Sequence, residues 1–300
     1  MTINRKGIIL AGGRGTRLYP STKIISKQLL PLYDKPLIYY PLTTLMLANI
    51  REILLISTSK DIENYKSLFG SGKELGITIE YAVQERPNGI AEAFLIAENF
   101  IEDSYSALIL GDNLFYGSEL PSKLISASEK KSSTIFAYQV SDPKRYGVLE
   151  FDENFKAINL EEKPKKPKSN FAITGLYFFD KLVCKKVRKI KPSSRNELEI
   201  TELIKIYLNE DNLNVEKFGR GVAWIDTGTP ESLFDASSYV KTIETRQGLK
   251  IGCPEEVAWR MGYINRKQLT KIIDKFPLCS YKQYLNKLIK QEFNIKNESR

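Results

Sequence analysis

An α/β architecture is expected from this sequence: a mostly parallel sheet with helices on both faces, a small antiparallel β subdomain and a helical C-terminal appendage. Three observations predict it. Short apolar runs alternate with helix-length amphipathic segments up to about residue 145. The strand patterns then follow one another with short connections. From Gly248 onward only helical periodicity is readable.

The elements follow in order. Gly7 to Leu10 is a short apolar strand that runs into a glycine loop, and residues 38 to 48 read as a helix. Glu52 to Ser57 is an apolar strand and 60 to 69 a helix. Ile77 to Val83 alternates as a strand, and 89 to 99 is helical. Ala107 to Leu110 is a buried strand ending at Gly111-Asp112-Asn113, followed by helix 119 to 130 and strand 134 to 140. This β-α-β-α order is Rossmann-like, and in such sheets ligands sit beyond the carboxyl ends of the strands. Strands at Gly147 to Phe151, Phe155 to Asn159 and Ala172 to Phe179 make the antiparallel part, around a stiff charged loop from Lys163 to Lys168. Helices at 197 to 208 and 230 to 247 bracket strands near 213 to 218 and 222 to 226.

Composition excludes several kinds of chemistry. Hydrophobic residues are 42% and charged residues 27% of 300, which suits a packed core rather than a disordered chain. With no histidine, Ser-His-Asp triads, His general bases and His metal ligands are impossible. Cys184, Cys253 and Cys279 lie far apart without a CxxC pair, so zinc ribbons and disulfide frameworks are not expected and a reducing cytoplasm fits. No run is long and apolar enough for a signal-peptide core or a membrane span, so no membrane partner is expected.

The net charge of +9 raises nucleic acid as a partner. The excess, however, gathers at Lys181 to Lys191 and at 265 to 300, where the basic residues border apolar helical stripes. No basic-aromatic nucleic-acid module is found, so solvated helix faces are the expectation.

Three signals carry chemistry. The loop Leu10-Ala11-Gly12-Gly13-Arg14-Gly15-Thr16-Arg17-Leu18 can form an anion nest, because glycines admit backbone N–H groups close to a ligand. It fits neither the Walker A spacing nor the full dinucleotide fingerprint. A tight glycine turn is the bland reading, but Arg14, Arg17 and Lys27 nearby favour polyphosphate. Asp112 and Asp226 each end an apolar strand, where a carboxylate can hold a hard cation. Either alone is more often a loop cap; the pair beside a phosphate loop points to Mg²⁺. Glu162-Lys163 after a strand, and Arg195 before a helix, can reach a sugar hydroxyl and a phosphate, although solvated loop residues are the default.

Taken together, these residues resemble the sugar-phosphate nucleotidylyltransferase family. The resemblance rests on Leu10-Ala11-Gly12-Gly13-x-Gly15-Thr16-Arg17-Leu18-x-Pro20, Ser26 to Pro31, Tyr33 to Pro36, Gly111-Asp112-Asn113 and Tyr146-Gly147-Val148. It continues through Leu160 to Pro164, Thr174 to Tyr177, Glu197 to Thr201 and Trp224 to Thr229, in order over nearly the whole chain. It implies Mg²⁺-dependent transfer of a deoxythymidylyl group from dTTP to glucose 1-phosphate, giving dTDP-glucose and pyrophosphate on the way to deoxysugars such as dTDP-rhamnose. Uridylyl or cytidylyl transfer, or a non-catalytic nucleotide-sugar binder, are the alternatives.

By the same resemblance, Gly12, Gly13, Gly15, Thr16 and Arg17 hold the triphosphate, and Gln84 and Gly89 contact the base. Asn113, Tyr146, Gly147, Glu162, Lys163, Ile173 and Arg195 receive the sugar phosphate. Arg17, Lys27, Asp112, Lys163 and Asp226 form the catalytic set, with Asp112 and Asp226 on Mg²⁺. Residues 1–247 would be the nucleotidyltransferase domain, with sugar-binding β insertions from about 145. Residues 248–300 would be an appendage for regulation or oligomer contact. There Glu256 and Arg260, joined by Tyr116 and Arg220, would take a feedback deoxythymidine-diphosphate sugar in a cytoplasmic homotetramer. The chain departs from its relatives at Arg86, Asn88 and Glu92, where Ser, Asp and Gln are frequent, and at Pro230, where His is frequent.

Overall fold

The computed structural model describes residues 3–13 and 15–298, and the side chains among these up to Gln291. Arg14, the loop cation noted above, lies outside the described residues. Strands β1 (Arg5–Leu10), β2 (Pro31–Leu32) and β3 (Lys35–Pro36) precede helix α1 (Tyr39–Leu47). Then come β4 (Glu52–Ser57), α2 (Ile62–Phe69), β5 (Thr78–Val83), α3 (Glu92–Ile96) and α4 (Glu98–Ile101). The middle of the chain forms β6 (Tyr105–Leu110), β7 (Asn113–Gly117), α5 (Leu120–Glu129), β8 (Ser133–Gln139), β9 (Gly147–Phe151), β10 (Ala157–Glu162) and β11 (Phe171–Phe179). It closes with α6 (Val183–Val187), α7 (Ile200–Asn209), β12 (Leu213–Lys217), β13 (Val222–Asp226), α8 (Pro230–Gln247), α9 (Pro254–Arg260), α10 (Arg266–Lys275) and α11 (Ser280–Glu298).

The α/β fold is as expected. Strands β5, β4, β1 and β6 lie side by side and parallel at one end of a nine-stranded sheet. The antiparallel strands do not form a sheet of their own. β11 pairs antiparallel with β6 and β8, so β9, β10, β8 and β12 extend the same sheet. β1 shows why its run is continuously apolar. Ile9 faces one buried cluster, with α1, α5 and α9 to α11, while Ile8 and Leu10 face the other, with α3, α6 and α7. Alternate residues of a strand point to opposite faces, and both faces are covered. The C-terminal helices contribute Ala258, Leu269 and Leu285 to the same cluster as Ile9 and Leu45.

Two boundaries moved for physical reasons. Phe155 was expected in a strand but sits at φ 58° in a tight turn, where the Asp152 carboxylate accepts from Asn154 N and Lys156 N; β10 therefore begins at Ala157. The helix expected over 89 to 99 starts only at Glu92, because the residues before it are tied to a distant loop (Leu198 N donates to Asn88 O and Ala91 N to Leu198 O), and it is divided at Ala97 into α3 and α4. The basic stretch from Lys181 is also less solvated than expected. Lys186 is buried against the Tyr207 ring and paired with Glu210.

An ion cluster fastens the β2–β3 turn to α8 and the C-terminal segment. Buried Lys35 pairs with Asp34 at 2.5 Å and Glu244 at 2.9 Å, while Lys250 pairs with the same two carboxylates. Glu244 also accepts from Ile251 N at 2.9 Å. Burial works against the charged form of Asp34, but Lys35 and Lys250 outweigh it and hold its pKa below the usual carboxylate value. The stability this pair contributes is present above the ordinary carboxylate pKa and is lost as pH falls through the lowered one. Glu244→Gln leaves Lys35 short of a counter-charge in a buried position. It should cost about 3 kcal/mol, read as a lower denaturant midpoint at unchanged slope.

Candidate active site

The carboxyl ends of β1, β4 and β6 are stitched together. Ala11 N donates to Ile56 O at 2.8 Å, and Gly111 N donates to Leu10 O at 2.9 Å. The Ser57 hydroxyl adds a bond to Ala11 O. The chain then turns through Gly13 at φ 97° and Gly15 at φ 57°, the left-handed region that glycine enters without strain. Gly15 O accepts from Thr22 Oγ1 and Leu18 N, and buried Leu18 anchors the turn, leaving Thr16 and Arg17 exposed above it.

Asp112 and Asp226 meet through a ladder that the sequence did not announce. β7, which follows Asp112 directly, pairs antiparallel with β13 so that Asn113 stands opposite Asp226 and Phe115 opposite Trp224. Thr227 locks the register by donating its N–H (3.1 Å) and hydroxyl (2.8 Å) to Asp112 O. Asn113 is buried between its neighbours. Its Oδ1 accepts from Trp224 Nε1 at 2.6 Å and Gly175 N at 3.2 Å, which turns its Nδ2 to donate to Asp112 Oδ1 at 3.0 Å. Only glycine fits at 175, since a Cβ there would stand 2.5 Å from Asn113 Oδ1.

Charge completes the arrangement. Lys27 donates to and ion-pairs with Asp112 Oδ2. Burial disfavours the Asp112 carboxylate, but the Lys27 ammonium and the Lys27 and Asn113 hydrogen bonds hold its pKa below the usual value. Asp226 moves the other way: burial, then the negative charge of Asp112, push it up against the opposing pull of Lys27, Arg17 and Arg145. Among the described residues no group of three or more Asp, Glu or Cys could enclose a metal. Two neighbouring, half-buried carboxylates, one of them raised by the charge of the other, are nevertheless a donor set that a hard cation fits, because such an ion takes its remaining ligands from phosphate and water.

A cavity of about 480 Å³ opens beside them. Of the expected site residues, Arg17, Asp112, Asn113, Tyr146, Gly147, Glu162, Lys163, Ile173 and Asp226 line it. The β9–β10 ladder pairs Gly147 with Glu162, and Lys163 N donates to Tyr146 O at 3.0 Å. Lys163 and Arg195 share the Glu162 carboxylate at 3.3 Å each. Arg195 is not a free cation, since Glu199 holds it from 2.8 Å and Glu197 stands at 3.4 Å.

Gln84 is buried beside the glycine loop, and a Cβ on Gly12 would stand 2.9 Å from its Oε1. Gly89, at φ 109°, passes so close to Leu198 that a Cβ would meet Leu198 O at 2.4 Å. Of the residues expected at a second site, Tyr116 donates to Gln247 Oε1 at 2.8 Å, and Arg220 lines a separate groove with Phe171 and Lys217. Buried Glu256 accepts from Tyr284 and from Arg260 Nε at 2.7 Å.

Lys144, Arg145, Thr201 and Trp224 are among the cavity-lining residues to which sequence reasoning gave no role. Trp224 packs 5.2 Å from the Tyr146 ring and holds Asn113. The Thr201 hydroxyl is buried without a hydrogen-bond partner. Signals for these residues in the sequence are the stretches Glu197 to Thr201 and Trp224 to Thr229, and the basic pair just before Tyr146-Gly147.

Comparisons with known proteins bear on the chain as a whole. A family model described as nucleotidyl transferase matches residues 6–243. The glucose-1-phosphate thymidylyltransferase of Neisseria meningitidis serogroup A is 51% identical over 287 residues, covering 95% of this chain and 100% of the relative. The enzyme of that name from Mycobacterium tuberculosis is 52% identical over 286 residues, 95% of this chain and 99% of its own. Among solved structures, a UDP-glucose pyrophosphorylase complexed with UDP-glucose superposes with a TM-score of 0.70 at 25% identity, over 81% of this chain and 100% of that one. A Bacillus anthracis protein crystallised with sucrose, provisionally assigned as a glucose-1-phosphate thymidylyltransferase, gives 0.72 at 38% identity, over 78% and 94%.

Proposed function

The chain belongs to the nucleotidyl transferase family, and from that premise we propose that it joins dTTP and glucose 1-phosphate to give dTDP-glucose and pyrophosphate. The carrying observation is that Asp112 and Asp226 line one cavity together with Glu162 and Lys163, while Lys27 is ion-paired to Asp112. A sugar phosphate is already ionised near neutral pH, so the attack on the α-phosphorus needs no general base and a histidine-free site suffices. The obstacles are repulsion between two anions and charge on the departing pyrophosphate.

The residues divide this work. Gly12, Gly13, Gly15 and Thr16 offer the triphosphate their backbone N–H groups, and Arg17 and Lys27 offset the leaving charge. Gln84 and Gly89 receive the base. Lys163 and Arg195 neutralise the sugar phosphate, while Asn113, Tyr146, Gly147, Glu162 and Ile173 seat the sugar. Thr201 lines the same cavity, and its methyl packs beside Gly147. Asp112 and Asp226 would hold Mg²⁺, which when bound neutralises the triphosphate. Alignment of the two substrates supplies the rest of the rate.

The same reading extends to the chain's organisation. Residues 1–247 carry the catalysis, and 248–300 serve as a regulatory or oligomer-contact segment. Around Tyr116, Arg220, Glu256 and Arg260 a dTDP-sugar would act as feedback inhibitor in a cytoplasmic homotetramer. Among the described residues no helix is long and apolar enough to cross a membrane.

A panel of nucleoside triphosphates, assayed for pyrophosphate release with glucose 1-phosphate and Mg²⁺, tests the assignment. dTTP should give the highest kcat/KM. A preference for UTP or CTP would replace it with the corresponding transferase, and no release with any nucleotide would mark a non-catalytic binder.

A further inference from the structure

Glu92 is a residue whose carboxylate has no part in the chemistry above. It stands at the start of α3 and takes two side-chain amides at once: Gln84 Nε2 donates to Oε2 at 2.7 Å, and Asn88 Nδ2 donates to Oε1 at 2.8 Å. The second hydrogen of Gln84 Nε2 is directed at Gly89 O, 3.4 Å away. The Gln84 backbone is fixed as well, its N–H donating to Ser57 O at 2.8 Å. An ionised carboxylate can only accept, so the nitrogen end of the Gln84 amide must face Glu92. Both amide hydrogens are thereby committed to the protein. The remaining polar atom, Oε1, is left against Gly12 at the glycine loop.

We propose that Glu92 is a positioning residue for nucleobase choice: by clamping the Gln84 amide it presents a fixed acceptor, which selects pyrimidines carrying an N3–H over those whose N3 is itself an acceptor. This rests on the reading above that Gln84 meets the base. Thymine and uracil carry a hydrogen on N3 and satisfy Oε1. Cytosine has a lone pair on N3, which would face the Oε1 lone pairs, and a buried acceptor left unpaired is where discrimination is strongest. An unclamped amide could turn over and offer Nε2 to cytosine instead.

The test compares kcat/KM for dTTP with that for dCTP in the full-length protein with glucose 1-phosphate and Mg²⁺. Glu92→Met keeps the side-chain length without an acceptor, and Glu92→Ala is the smaller replacement, with folding of both checked by thermal melting. In each, the dTTP:dCTP ratio should fall about tenfold. The change should lie mainly in the nucleotide KM, with the KM for glucose 1-phosphate unmoved. Gln84→Ala should also lower the ratio, and adding Glu92→Met to it should lower it no further. A ratio that falls in Gln84→Ala but holds in both Glu92 variants overturns the clamp and leaves the base-reading role of Gln84 standing. A ratio that holds in Gln84→Ala overturns that role too.

Discussion

Asp112→Asn should reduce kcat by about 10³-fold or more while the protein melts close to the parent. The two halves of this expectation come from different atoms. The ties of this position to Thr227 run through the backbone, since Thr227 donates both its N–H and its hydroxyl to Asp112 O, and those bonds survive the substitution. Asn113 Nδ2 can still donate to an amide oxygen at 112. What disappears is a negative charge beside Asp226 and opposite Lys27. A neutral amide is a poor ligand for a hard dication, and Lys27, whose ammonium stands against Asp112, loses the partner that aims it. Losing one well-placed electrostatic contact costs roughly 3–4 kcal/mol in a transition state of this kind. Here two contacts are affected together. Steady-state turnover with saturating Mg²⁺ decides it; near-parental rates would remove Asp112 from the metal site.

Arg17→Ala should lower kcat/KM for dTTP about 100-fold and leave the KM for glucose 1-phosphate within about twofold. Arg17 is exposed on the short turn after the glycine loop, and its guanidinium lies close to Gly228 and Asp226: a Cβ on Gly228 would stand 3.0 Å from Arg17 Nη2 and 3.3 Å from Asp226 Oδ1. Its charge thus sits beside the carboxylate pair, in the same cavity that Glu162 and Lys163 line, and on the proposed reading it serves the triphosphate while those two serve the sugar phosphate. Removing it should raise the barrier to pyrophosphate departure without disturbing the sugar pocket. Arg17→Lys should recover only part of the loss, because an ammonium restores the charge but not the two-pronged donor geometry. Equal losses for both substrates would place Arg17 elsewhere in the reaction.

Much of the fold and part of the site could be read from local sequence. β4 was bounded to the residue, and the ends of α1, α2 and α5 within about two, because strand and helix periodicities are carried by neighbours a few positions apart. The glycine loop, and the two carboxylates that end apolar strands, were legible for the same reason. Phe155 shows the limit of such reading: an aromatic residue suits a strand by propensity, yet the Asp152 carboxylate drew the backbone around it into a turn.

The local periodicities therefore settled the β/α order, the phosphate-type loop and the presence of acids at strand ends. Tertiary structure alone decided how these meet. Whether Asp226 lies beside Asp112 depends on one antiparallel register between β7 and β13, and a slip of one residue would turn Trp224 and Asp226 to the opposite face. Trp224 on Asn113, Thr201 facing the cavity, Glu199 on Arg195 and the C-terminal helices on the face that holds Ile9 are likewise contacts between distant segments. Their energies come from burial and pairing with partners that no short window of sequence contains.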